Sequence, residues 1–91
     1  MLTLLWRQSA RDDARAIFDY IAQRDRSAAE RLLGAIEACA EALPAHPYIY
    51  RPGRAPGTRE AVVHPNYILV YRVTAEAVEI VNLVHARQQY P

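Results

Sequence analysis

The polar–apolar pattern changes period once along the chain. Ala10, Ala14, Ile17, Phe18, Ile21 and Ala22 recur at steps of three and four, while the acids, Arg11 and Arg15 fall mostly on the other side, so the spacing predicts a helix with one buried face. Ala29, Leu32, Leu33, Ile36, Ala40 and Leu43 repeat that spacing until Pro44 stops it. Ser9-Ala10-Arg11-Asp12 and Ser27-Ala28-Ala29-Glu30 resemble capping boxes at the two starts, and Asp25-Arg26 marks the break between them. So short a break predicts an antiparallel helical hairpin.

After Gly57 the period is two. Thr58 to Val63, Tyr67 to Val73 and Val78 to His85 read as strands rich in β-branched and aromatic residues. His64-Pro65-Asn66 and Thr74 to Ala77 are the turns between them. Leu2 to Trp6 alternates in part and adds a strand before the helices. The predicted order is β-α-α-β-β-β, an α+β fold with a helical hairpin packed on one face of a mostly antiparallel sheet. Tyr67 and Tyr71 share strand parity with Leu69 and Val73 and belong to the core face or its rim. The segment between helices and strands carries Pro44, Pro47, Pro52 and Pro56, with Tyr48 and Tyr50 as packing groups or interface anchors.

The length, 91 residues, allows one domain spanning residues 1–91 with a thin core, which favours a shallow surface site over a deep cavity. A hydrophobic fraction of 52% is high for such a chain and leaves apolar surface for a partner. The net charge is only +1, which excludes a polycation. Its distribution is uneven: residues 1–50 hold six arginines and seven acids, residues 51–91 five arginines and three acids. Lysine is absent. Arginine offers phosphates and carboxylates a planar fork of donors. The lone Cys39 permits no internal disulfide and reads as a small buried hydrophobe. The first ten residues lack the basic start and apolar length of a signal peptide, and no segment is long and apolar enough to span a membrane, so a cytoplasmic location is expected.

Two constellations carry candidate chemistry. Arg51, Arg54, Arg59, Arg72 and Arg87 sit at strand openings and ends, where hairpins bring distant positions together. Clustered guanidiniums there would bind phosphate or a carboxylate-rich partner. The alternative is ordinary surface charge paired with Glu60, Glu76 and Glu79. His64, His85 and Tyr90 are the second set. Near arginines, a histidine and a tyrosine supply a general acid and base for phosphodiester cleavage; otherwise they are turn, strand-end and packing residues. The histidines lack ligand spacing, so neither a metal nor a cofactor is expected.

RPGRAPGTREAVVHPNYILVYRV followed by VEIVNLVHARQQYP resembles the C-terminal half of the RelE/ParE superfamily of bacterial type II toxin–antitoxin toxins. Trp6, the first helix with Tyr20-Ile21-Ala22, and Ala28-Ala29 fit as well, so the resemblance covers nearly the whole chain. It implies the same fold that periodicity predicts. It also implies a cognate antitoxin, one that folds on binding and covers exposed apolar surface; the uneven charge adds the expectation that its acids reach Arg72 and Arg87.

Two activities remain open on this resemblance. A ParE-like toxin poisons DNA gyrase without known chemistry of its own. A RelE-like toxin cleaves mRNA on the ribosome, and its site here would be Arg59, Arg72, His85, Arg87 and Tyr90. Nucleases of that branch usually place a basic residue where this chain has Ile68, and the chain ends at Pro91, soon after the last strand; both favour the ParE-like branch. A module that has lost toxicity and only binds its antitoxin is the third possibility.

Overall fold

A computed structural model describes residues 2–87. The elements run β1 (Thr3–Trp6), α1 (Gln8–Ala22), α2 (Arg26–Ala42), β2 (Arg51–Pro52), β3 (Arg59–His64), β4 (Tyr67–Val73) and β5 (Ala77–His85). Five strands form one sheet in the order β1-β5-β4-β3-β2. β1 runs parallel to β5, and every other pair is antiparallel. The parallel pair is possible because the chain crosses between these strands through the helices, whereas β3, β4 and β5 follow one another through short turns. The α+β architecture expected from the pattern is the one observed. The two-residue β2, inside the proline loop, is an addition.

Both helix starts differ from the capping boxes read in the sequence. α1 begins at Gln8 behind Arg7, which gives no side-chain cap. Ser9 lies inside the helix, and its hydroxyl donates to the Val81 carbonyl at 2.6 Å. α2 begins at Arg26, and the Asp25 carboxylate accepts from the Ala28 N–H at 3.0 Å. A carboxylate there satisfies an orphan donor and faces the positive end of the helix dipole, so Asp25 outcompetes Ser27 for the cap.

The helices cover one sheet face. Tyr71, Ile36, Leu43, Leu69, Ile80 and Val78 are the largest fully buried side chains, and each aliphatic member stabilises the fold by about 1.5–3 kcal/mol. Ala10, Ala29 and Ala40 are buried too, and their small side chains let the helix backbones approach closely. On the opposite face Ile68, Val70 and Val84 form a second apolar cluster with Ala86. Burial on both faces explains the nearly continuous apolar run of β4.

β1 stops opposite Ile80, so the edge of β5 beyond it needs other partners. Asp13 of α1 supplies them: its carboxylate accepts from the Leu83 N–H at 3.0 Å and the Asn82 amide at 2.9 Å. One helix turn thus replaces a missing stretch of strand.

Candidate functional site

The residues singled out above collect at two ends of the β3–β4 hairpin rather than on one edge. Arg59 pairs with Tyr71, and Arg72 follows, at the end where β3 opens. His64 and His85 both pair with Tyr67, at the other end. Tyr67 and Arg72 are five residue steps apart along β4, roughly 17 Å at 3.3–3.4 Å per residue. The single arginine cluster expected from the hairpin order does not form: Arg51, Arg54, Arg59 and Arg72 belong to one end, and Arg87, two residues beyond His85, to the other. The physical reason is that antiparallel pairing puts the start of β3 beside the end of β4 but sends the end of β5 back beside the start of β4.

The arginine end is built around Glu60. Its side chain is only 3% exposed, and its carboxylate meets the Arg51 guanidinium at 3.2 Å, the Arg54 backbone N–H at 3.0 Å and the Arg54 Nε at 3.7 Å. Two of the candidate arginines are therefore held by one buried acid. Gly53 donates to the Thr58 carbonyl at 2.7 Å, and the Thr58 hydroxyl donates to Ala55 at 2.6 Å. A Cβ at position 53 would land on the Thr58 hydroxyl oxygen, so only glycine fits there. Gly57 adopts φ +78°, the left-handed conformation that glycine tolerates best.

Arg59 points to the helix face. Its Nη1 donates to the Tyr50 carbonyl at 2.7 Å, and its guanidinium lies 4.9 Å from the centroid of the Tyr48 ring. Tyr50 meets Tyr71 edge to face at 6.5 Å and accepts the Cys39 thiol at 3.8 Å. Tyr71 donates its hydroxyl proton to the Pro47 carbonyl at 2.8 Å. Burial pushes the Tyr71 phenol up to about 12, against a partial opposing pull from Arg59. Burial likewise raises the Cys39 thiol, and the hydrogen bond to Tyr50 offsets part of that rise. Cys39 packs against the core but is only half-buried, less than the sequence reading expects.

Arg72 lies on the opposite sheet face, across from Glu79. The Glu79 carboxylate is already engaged by Arg7 at 3.0 Å. The Arg72 Nε is buried with no hydrogen-bond partner among the described residues.

The histidine end is an aromatic ladder. Tyr67 lies 5.8 Å from His64 and 5.4 Å from His85, ring centre to ring centre. The ladder walls a groove of about 690 Å³ between the helices and the hairpin, shared with Tyr20, Arg31 and Asn66. Each imidazole closes a local turn: His64 Nδ1 accepts from the Asn66 N–H at 3.0 Å, and His85 Nδ1 from the Arg87 N–H at 3.2 Å. A neutral ring accepting through Nδ1 carries its proton on Nε2. In both rings Nδ1 thus serves the turn. Tyr90, the proposed acid, lies outside the described residues.

Glu60 was visible to sequence reading as the one acid between Arg51 and Arg72, but its burial was not. Asp13 and Asn82 carried no signal, because their task depends on where β1 ends.

Comparison with known proteins matches this architecture. Residues 4–90 fit the model of the ParE toxin of the type II toxin–antitoxin system parDE. Y4kP of Sinorhizobium fredii is 41% identical over 73 residues, which is 79% of this chain and 75% of that protein. Toxin RelE2 of Caulobacter vibrioides is 36% identical over 86 residues, 94% of this chain and 97% of that one. The chromosomal ParDE toxin–antitoxin system of P. aeruginosa contains a chain that superposes with a TM-score of 0.83 at 22% identity, covering 93% of this chain and 96% of that chain. The fold is thus that of a toxin from a two-component toxin–antitoxin module. The chain belongs to the ParE toxin family of type II systems, within the ParE/RelE superfamily.

Proposed function

We propose that this chain is a toxin that acts by docking on DNA gyrase and has no chemistry of its own, and that a cognate antitoxin silences it. The observation that carries this reading is the separation of the arginine end from the histidine end. A phosphodiester nuclease needs cations and an acid–base pair on one reacting phosphate. Here Arg59 and Arg72 stand roughly 13 and 17 Å along the sheet from His85, which leaves Arg31 and Arg87 as the cations at the histidine end. Arg51 and Arg54 share the one carboxylate of Glu60, and His85 Nδ1 accepts from the Arg87 N–H. The ParE family match supports the same branch. Such a target implies action in the cytoplasm, and no helix among the described residues is long and apolar enough to cross a membrane.

The test is a supercoiling and cleavage reaction with purified gyrase, plasmid and ATP. The reading expects dose-dependent linear, enzyme-linked plasmid, reversed by the antitoxin. Growth arrest without any effect on gyrase would overturn it. The second reading, ribosome-dependent mRNA cleavage, draws on the similarity to Toxin RelE2 and on the His64–Tyr67–His85 ladder beside a groove. Rapid mRNA cleavage on ribosomes by the same preparation would establish that reading instead.

A further inference from the structure

Tyr48 and Ile49 are 65% and 63% exposed, two large apolar side chains side by side in sequence. Their neighbours explain why. The Pro47 carbonyl is held by the buried Tyr71 hydroxyl, and the Tyr50 carbonyl by the Arg59 guanidinium. Both ends of the Tyr48–Ile49 pair are thus pinned to the sheet, and the two side chains between the pins are displayed outward. The Tyr48 ring does not swing freely either, because Arg59 stacks on it at 4.9 Å. Arg51 and Arg54 follow in the same loop, which Glu60, Gly53 and Thr58 hold in shape.

We infer that Tyr48 and Ile49, framed by Arg51, Arg54 and Arg59, are the surface with which this toxin docks on a folded, acidic protein face of its target. The inference rests on the reading of the chain as a gyrase-directed toxin and names the surface and the partner chemistry for it. Three features select this occupant. First, between Arg51 and Glu60 three arginines face one acid, so the rim keeps positive charge for a carboxylate-bearing partner. Second, an aromatic and a β-branched side chain inside an arginine rim have the composition of a protein–protein anchor. Duplex DNA would call instead for many free cations, and two of these arginines already share Glu60. Third, the surface is compact and pre-ordered, which lowers the entropy cost of rigid docking. An antitoxin segment that folds on binding covers far more area than two residues and a rim.

The test uses the full chain with Tyr48→Ala and Ile49→Ala together. Both side chains are exposed, so the fold survives; circular dichroism and retained antitoxin binding verify it. Three readouts are taken: affinity for immobilised gyrase, affinity for a short DNA duplex, and growth arrest on induction. The expected result is a loss of gyrase affinity of about tenfold or more, with the same loss of growth arrest and unchanged antitoxin affinity. Arg59→Ala, which frees the Tyr48 ring, is expected to give a smaller loss. Growth arrest at wild-type strength from the double variant would overturn the inference. A parallel loss of antitoxin affinity would also overturn it, assigning the surface to the antitoxin. So would duplex binding by the wild-type chain that Arg51→Ala and Arg54→Ala abolish. Failure of the gyrase reading is separate: it shows as a wild-type chain that arrests growth without binding gyrase. The docking surface then stands or falls on whether the double variant still arrests growth.

Discussion

The two ends of the β3–β4 hairpin hold similar residue types and use them differently. At the arginine end the charged groups brace a loop from within: Glu60 gathers Arg51 and Arg54, and Arg59 pins Tyr50, so that what reaches solvent is Tyr48 and Ile49. At the histidine end His64 and His85 each spend Nδ1 on closing a backbone turn, and Tyr67 sits between them. In both places residues that look chemical have a structural task. The difference is what they leave exposed: an apolar pair with a cationic rim at one end, and a groove edged by imidazoles at the other. That contrast favours docking over catalysis, because the braced loop presents outward anchors while each imidazole serves a backbone turn.

The largest effect that breaks this contrast is expected from Tyr71→Ala. Removing a fully buried ring that holds Pro47 and packs on Tyr50 costs about 3–5 kcal/mol in urea unfolding. The loop above it loses its floor, so growth arrest falls as well. Alkali tests the same residue. Tyr71 keeps its proton to about 12 in the folded chain and to 10.0 when unfolded. Between those values the unfolded chain binds fewer protons, so stability falls as pH rises, by up to about 3 kcal/mol, with no such change below pH 10. Tyr71→Phe removes this fall while costing about 1 kcal/mol at neutral pH for the lost bond to Pro47, measured by the same unfolding at the two pH values.

A smaller loss is expected from Glu60→Gln. The acid is buried but its partners Arg51 and Arg54 are 60% and 42% exposed, so solvent screens them and the cost is about 1–2 kcal/mol. With the Glu60 charge gone, the net positive charge of the loop would steepen the salt dependence of target binding, which titration at two ionic strengths reads directly. The smallest effect belongs to the histidine end. Gln at positions 64 and 85 keeps an acceptor for the turn, so His64→Gln and His85→Gln are each expected to change stability by less than about 1 kcal/mol and to leave growth arrest intact.

Much of this architecture is legible in the pattern alone. The period change at Gly57, the helix stop at Pro44 and the β4 run give the elements, because each rests on local spacing. At the start of α2 two acceptors compete, and Asp25 prevails over Ser27 through its charge, whereas α1 has no side-chain cap. The site was less legible. Strand order decides which arginines meet, and the chain pattern does not say that β5 returns to lie between β1 and β4. Nor does composition reveal that Glu60 is buried between two arginines, or that Tyr48 faces out while Tyr50, two residues on, faces in.

The central claim is that toxicity comes from docking at the arginine end and not from proton transfer at the histidine end. Its most direct test is plasmid cleavage by gyrase in the presence of the His64→Gln, His85→Gln double variant. The account predicts linear plasmid at the wild-type dose. Loss of that product from a folded variant that still binds its antitoxin would contradict it.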